Sequence, residues 1–309
     1  MNYKSLKGNI FLFLATVLWG TSFVAQEIAA GIIPTFEFHA VKTLVGALVL
    51  IPIIALMDLA SKKSGTYQAP TKKDNKNLII GGTLCAVAHC GASWLQQAGM
   101  VLGTESGKAG FISAMYIIFV PILGLFLRKR IKPHVFFCIA LSVAGLYLLC
   151  VKNGFSIRPS DLVVFLSAVF FALHILVIDR YISLVDCVKL SFMQFLVSAI
   201  LSTILTLIFN GGFHIDLILK AIGPILYTGV FSCAAACTFQ VLGQKYSSSA
   251  TVASIIMSFE SVVAVIAGMV VLNNVMTIKE VIGCVLMFIA IIFSQIDVTD
   301  IIKNKRAES

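Results

Sequence analysis

Lys42 is a lone cation inside an otherwise uncharged stretch that runs from Phe38 to Met57. A stretch of this length and composition can cross a lipid bilayer as a helix. A lysine there costs about 2.5–3.5 kcal/mol on insertion scales, so it is expected to face a cavity or a partner. The ammonium could anchor the carboxylate or phosphate of a substrate. A structural ion pair, or a side chain that reaches the membrane interface, is the alternative interpretation.

Glu260 is the second ionisable residue in such a setting, because it interrupts an apolar stretch that spans residues 246–277. A carboxyl group inside the membrane is a functional candidate by default. It could bind and release a proton, contact the amino group of a ligand, or pair with Lys42. The sequence leaves these three roles open.

Further polar and aromatic side chains lie in the same apolar stretches. His89 and Gln97, for example, are eight residues apart and fall near one helical face, with Trp94 one position off it. Such side chains can form the wall of a cavity for a small ligand with an apolar part. We therefore predict a substrate site that contains Trp19, Ser22, Lys42, His89, Trp94, Gln97, Tyr116, Gln194 and Gln240.

Coupling or gating is predicted for Glu260, His174 and Pro121. A histidine can exchange a proton near neutral pH, and a proline inside a helix bends it. The alternatives are structural: a histidine bonded to a nearby carbonyl, a bend without a moving part, and, for Trp19, simple packing in the core.

Composition places the whole chain in a membrane. Of the 309 residues, 59% are hydrophobic and 12% are charged, whereas a soluble domain has about 25% charged residues. The uncharged stretches predict ten membrane helices in an all-α fold, because spanning strands would alternate apolar and polar residues. The same numbers exclude disordered, collagen-like and secreted disulfide-rich classes.

The formal net charge of +9 comes from Lys and Arg residues that lie mostly in short loops between the apolar stretches. If the N-terminus is cytoplasmic, the loops on that side carry most of them. This bias predicts that both termini face the cytoplasm. The charge is therefore interpreted as a topology signal and not as a nucleic-acid surface.

The two halves of the chain resemble each other weakly along their length. Residues 13–20 align with residues 165–172 at an offset of 152, and later segments align at an offset of 144. The aligned pairs include Lys42 with Gln194, Gln96 with Gln240, and Tyr116 with Glu260.

Five helices in each half is an odd number, so the second half must enter the membrane inverted relative to the first. Inverted repeats of this kind form secondary transporters, with the substrate site near the midplane between the halves. We predict one repeat over residues 1–152 and a second over residues 153–309, the second of which includes a short cytoplasmic tail. A duplication that was kept only for packing is the competing interpretation.

Several short segments carry a resemblance to a known family. They are Trp19-Gly20-Thr21-Ser22-Phe23, the lysine at position 42, Gln96-Gln97-Ala98-Gly99, residues 109–116 with Val120-Pro121, and Ser258-Phe259-Glu260-Ser261. With them the chain resembles the EamA-type, ten-helix branch of the drug/metabolite transporter superfamily. It departs from the family pattern at Ser261, where a proline is common, and at Asn273-Asn274, where a glutamate is usual.

The resemblance implies ten helices in an inverted repeat, a bacterial cytoplasmic membrane location, and transport of small metabolites, frequently the export of amino acids. The partners expected are a small-molecule substrate and the lipid bilayer, with the chain a monomer or a homodimer. A carrier-lipid flippase or a non-transporting membrane partner is the alternative function. The sequence has no HExxH, GxSxG or P-loop motif, so we expect neither enzymatic activity nor a cofactor or metal.

Overall fold

A computed structural model describes residues 3–128, 131–150, 158–272 and 277–294 of the chain. Fourteen α-helices and one π-helical segment account for most of these residues. The α-helices are α1 (Tyr3–Ala30), α2 (Thr35–Lys63), α3 (Lys72–Val101), α4 (Ser106–Ser113), α5 (Tyr116–Phe126), α6 (Pro133–Cys150), α7 (Pro159–Tyr181), α8 (Cys187–Phe209), α9 (Ile215–Lys220), α10 (Ile222–Tyr227), α11 (Cys237–Tyr246), α12 (Ala250–Met257), α13 (Glu260–Leu272) and α14 (Ile278–Ser294). The π-helix, Thr228–Ala236, joins α10 to α11.

Eight segments of the described chain are long and apolar enough to cross a membrane. They are α1, α2, α3, α4 with α5, α7, α8, α10 through α11, and α12 with most of α13. Helices α6 and α14 are apolar but shorter. Outward faces carry large apolar side chains, such as Leu207 and Ile208 of α8, which suit contact with lipid. No strand occurs among the described residues, whose regular structure is entirely helical.

Two of the spans are broken near their middle. Helix α4 ends at Ser113 and α5 begins at Tyr116, while α12 ends at Met257 and α13 begins at Glu260. At both breaks the backbone changes to hydrogen bonds between residues three apart, the pattern of a 3₁₀ turn. Each break divides one span into two half-helices.

The breaks change the setting of two candidate residues. Glu260 lies inside its membrane span, as the first residue of α13 directly after the break. Pro121 lies inside α5, five residues beyond the start of that helix, so it does not coincide with the interruption of the span. The two breaks fall at equivalent positions when the halves are aligned at the offset of 144 residues.

Helix α2 and the π-helix approach each other closely, because both carry glycine at the crossing. A Cβ atom on Gly46 would lie 2.7 Å from the Cβ of Cys233, and one on Gly229 would lie 2.7 Å from Cγ1 of Val45. Small residues allow such close helix contacts in membranes. The contact holds the π-helix against the face of α2 that carries Lys42.

Most of the long-range packing joins the first part of the chain to the second. Helix α2 packs on α8, α3 on α7, α1 on α11, and α6 on α14. The clusters of buried apolar side chains likewise combine both parts, as where Phe23 and Ala109 pack with Val164 and Val262. The predicted boundary between residues 152 and 153 lies outside the described residues.

A buried carboxylate ties the two parts together at the start of α2. The carboxylate of Glu37, at the start of α2, accepts hydrogen bonds from the backbone N–H of His214 at 2.6 Å and pairs with its Nδ1 at 3.0 Å. Glu37 is fully buried, because the loop before α9 folds back over the start of α2 and covers the carboxylate.

Candidate functional site

A cavity of about 50 Å³ lies between the two parts of the chain. Its walls come from α1, α2, α3, α5, α7, the π-helix, α11, α12 and α13. Eight of the candidate residues line it: Trp19, Ser22, Lys42, His89, Tyr116, His174, Gln240 and Glu260. Side chains that are far apart in the sequence, on nine elements, thus meet at one site.

Two candidate residues on α3 are not among the residues that line this cavity. Gln97 is fully buried and its Nε2 donates to the carbonyl oxygen of Gln26 at 3.0 Å. The indole Nε1 of Trp94 donates to Oγ of Ser202 at 3.1 Å, and the ring lies edge-on to Phe36. Gln97 differs because it is one position past Gln96, which turns it about 100° around the helix.

Gln194 and Pro121 also lie away from the cavity wall. Gln194 stands behind His174, with its Oε1 3.0 Å from Nε2 of that histidine. It therefore contacts the cavity only through a residue that lines it. Pro121 is buried in α5 and packs away from the cavity.

Part of the wall is apolar and was not predicted from the sequence; it includes Phe171, Ile175 and Met257. Apolar residues in a membrane helix give no signal of their own, because the residues that face lipid have the same composition. The internal alignment contained a usable signal, since the offset of 152 residues relates Trp19 to Phe171 and Phe23 to Ile175.

Lys42 is 4% exposed, on the α2 wall of the cavity. Its Nζ lies 4.8 Å from the centre of the Phe38 ring, a cation–π distance. No ion pair joins it to a carboxylate of the described residues. In particular, it does not form the pair with Glu260 that the sequence left open.

Glu260 lies on another wall of the cavity and is 5% exposed. The hydroxyl of Tyr116 donates to its Oε1 at 3.2 Å. The two residues begin the half-helices α5 and α13, so the broken ends of the two spans meet through this hydrogen bond. The N-terminus of a helix also favours negative charge, which suits a carboxyl group at this position.

Three histidines form a row beside and within the cavity. The ring centres of His39 and His89 are 5.7 Å apart, and those of His89 and His174 are 5.3 Å apart. The row is anchored at one end by Ser202, whose Oγ is 3.0 Å from Nδ1 of His39. At the other end it is anchored by the bond between His174 and Gln194.

Several buried polar atoms in this region have no hydrogen-bond partner in the described part of the chain. They include Nδ1 of His89 and Oε1 of Gln240, both on cavity-lining residues. Buried polar groups in proteins are nearly always hydrogen-bonded, so such atoms call for a ligand or water. Among the described residues, no group of His, Cys, Asp and Glu could hold a metal ion.

The cavity-lining residues occur largely in pairs that the internal alignment relates. The offset of 152 relates Trp19 to Phe171, Ser22 to His174 and Phe23 to Ile175. The offset of 144 relates His89 to Cys233, Gln96 to Gln240 and Tyr116 to Glu260. All twelve of these residues line the cavity.

The chain was compared with known proteins. The model of the EamA-like transporter family matches residues 6–151 and, a second time, residues 158–295. A relative from Archaeoglobus fulgidus, named an uncharacterized transporter, is 26% identical over 294 residues, covering 94% of this chain and 86% of the relative. The uncharacterized transporter YoaV of Bacillus subtilis is 22% identical over 278 residues, covering 88% of this chain and 90% of its own.

A further uncharacterized transporter, from Clostridium kluyveri, is 24% identical over 299 residues, with 93% of each chain covered. One solved crystal structure matches 98% of this chain and 99% of its own, with a TM-score of 0.72 at 17% sequence identity. At that identity the match supports the fold alone.

Proposed function

Because the chain belongs to the EamA-like transporter family, we propose that it is a secondary transporter that exports a small zwitterionic metabolite, an amino acid or a related compound, by alternating access. The family confirms the resemblance seen in the sequence. The protein is a multi-pass membrane transporter that lies in the lipid bilayer and has a small-molecule substrate. The substrate class, the direction of transport and its coupling are our proposal.

The observation that carries the proposal is the meeting of two broken spans at the hydrogen bond between Tyr116 and Glu260, in a cavity that also contains the ammonium of Lys42. Discontinuous helices at corresponding positions of two halves are typical of substrate sites in secondary transporters. The half-helix ends supply polar groups in the middle of the membrane, where a continuous helix would offer none.

The charges of the cavity suit a zwitterion. A substrate carboxylate would bind the ammonium of Lys42, which has no carboxylate partner among the described residues. A substrate ammonium would bind Glu260 and Oε1 of Gln240, which accepts no hydrogen bond from the described residues. Trp19, Phe171 and Met257 would surround an apolar side chain.

We propose ten membrane spans in two inverted repeats, residues 1–152 and 153–309, with both termini in the cytoplasm. Two observations support this: the family model matches the chain twice, and the packing between the halves is reciprocal. Helix α1 packs on α11 as α3 packs on α7, and α1 packs on α12 and α13 as α7 packs on α4 and α5. This is the pattern expected of a pseudo-two-fold axis.

The cavity must enlarge to bind such a substrate. Ligand pockets measure roughly 300–1,000 Å³, whereas the cavity here measures about 50 Å³. We therefore assign the structure to a contracted form of the carrier. Movement of the two halves about the breaks before Tyr116 and Glu260 would open the site to one side of the membrane at a time.

We assign the coupling proton to Glu260, which is the one carboxyl group of the described residues that lines the cavity. His174 contacts the same cavity and is held by Gln194, so we assign it a gating role. Pro121 lies in the half-helix α5 that begins at Tyr116, and we propose that it allows this half-helix to bend during the cycle.

The experiment compares metabolites inside and outside cells that overproduce the wild-type chain or one of two variants. Lys42→Met removes the ammonium and keeps the length of the side chain, and Lys63→Met makes the same change at the exposed end of the same helix. We expect amino acids to accumulate outside cells that carry the wild type or Lys63→Met, and not outside cells with Lys42→Met.

The amount of each variant in the membrane is measured in parallel, so that a loss of export can be separated from a loss of protein. Export by Lys42→Met at the wild-type rate would contradict the site. A change in membrane lipids without any soluble metabolite outside the cells would favour the flippase instead.

A further inference from the structure

When no substrate is bound, no carboxylate of the described residues neutralises the ammonium of Lys42. Its Nζ contacts the Phe38 ring, but a ring face replaces only part of the hydration that burial removes. Glu260, the acid of the same cavity, is hydrogen-bonded to Tyr116 and forms no ion pair with Lys42. A buried charge without a partner is costly, and an anion beside the ammonium would remove that cost.

A second observation indicates where that counter-charge would sit. Nδ1 of His89 is buried on the cavity wall and has no hydrogen-bond partner in the described part of the chain. The other ring nitrogen of His89, Nε2, is 3.5 Å from Oγ of Ser93. An imidazole that accepts through Nε2 carries its proton on Nδ1 and can donate it to an anion.

The size of the cavity limits what the anion can be. The cavity of about 50 Å³ has room for a small ion together with water molecules. A small monoanion therefore fits both the charge and the space.

We propose that the substrate-free carrier binds one small inorganic monoanion, such as chloride, between Lys42 Nζ and His89 Nδ1, and that a carboxylate displaces it. The binding step stands on the geometry of the cavity alone. The displacement step rests on the proposed function, since it takes the substrate carboxylate to the same ammonium. The substrate-free carrier thus keeps its buried cation neutralised at every stage of the cycle.

Tryptophan fluorescence of the purified full-length protein tests the binding step. The chain has two tryptophans, of which Trp19 lines the cavity and Trp94 does not. In a Trp94→Phe background, in detergent and gluconate buffer, bromide is added as the quenching probe. We expect saturable quenching of Trp19, and we expect chloride to reverse it.

Substitution of Lys42 separates site binding from collisional quenching. Lys42→Met should raise the half-saturating bromide concentration by at least about tenfold, the equivalent of roughly 1.4 kcal/mol. Lys42→Arg keeps a cation and Lys63→Met is the matched control, so both should retain saturable quenching. Linear quenching in the Trp94→Phe background, or saturation that Lys42→Met leaves unchanged, would overturn the proposal.

Acetate tests the displacement step in the same samples. Acetate carries the carboxylate without the rest of an amino acid, and we expect it to compete with bromide. Saturable bromide binding that acetate does not reverse would overturn displacement, and with it the role of Lys42 as carboxylate anchor. A failure of the export experiment would leave the bromide result unchanged, so the two proposals fail separately.

Discussion

The hydrogen bond between Tyr116 and Glu260 joins the broken ends of two spans, and its energy can be measured. Tyr116 is 4% exposed and Glu260 is 5% exposed, and the hydroxyl donates to Oε1 at 3.2 Å. Tyr116→Phe removes the hydroxyl without changing the ring. Since a buried acceptor left without its donor costs about 1–3 kcal/mol, we expect the free energy of unfolding to fall by about that amount.

A double-mutant cycle isolates the pair from other effects of each substitution. Glu260→Met removes the carboxyl group and keeps a side chain of similar length. In that background, Tyr116→Phe should cost almost nothing, because the hydroxyl has lost its acceptor. The coupling energy is therefore expected to be about 1–3 kcal/mol, near the lower end for a neutral carboxyl group and near the upper end for a carboxylate.

The assay is reversible unfolding of the purified protein by SDS in mixed micelles, followed by helical circular dichroism. Tyr67→Phe is the control, since Tyr67 is exposed in the loop between α2 and α3 and should change the free energy of unfolding by less than about 0.5 kcal/mol. A coupling energy below about 0.5 kcal/mol, the range in which separate sites are additive, would refute the contact between the half-helices.

Three further predictions address packing, coupling and the ties between the halves. Gly20→Ala should lower the free energy of unfolding by about 1–3 kcal/mol, because the new Cβ would lie 2.4 Å from that of Val263. Gly223→Ala is the control and should not lower the free energy of unfolding, since nothing lies within 4 Å of its new Cβ. Equal SDS midpoints for the two variants would contradict the close packing of α1. Wild-type transport in proteoliposomes should depend on pH, and Glu260→Gln should remove that dependence, because an amide exchanges no proton. A pH profile that Glu260→Gln leaves unchanged would exclude Glu260 as the proton carrier. Asp161→Asn should lower the free energy of unfolding by about 1–3 kcal/mol, since the carboxylate accepts from Lys108 and is 4% exposed; an unchanged SDS midpoint would contradict a structural role for this pair.

The sequence by itself determined the class of the protein and the two central ionisable residues of its cavity. Hydropathy is a sum over neighbouring residues, and the cost of a charge in lipid depends on its immediate surroundings, so both can be evaluated without a fold. Lys42 and Glu260 stand out for that reason, and the internal alignment related Tyr116 to Glu260 before any contact was known.

Only the tertiary structure decided which side chains reach the cavity and how the spans are interrupted. Gln97 and Trp94 have the same polar and aromatic character as the residues that line the site, but their partners Gln26 and Ser202 lie on other helices. The buried carboxylate of Glu37 likewise depends on a loop far along the chain. Contacts of this kind follow from the packing of one half on the other, which no local pattern of residue types encodes.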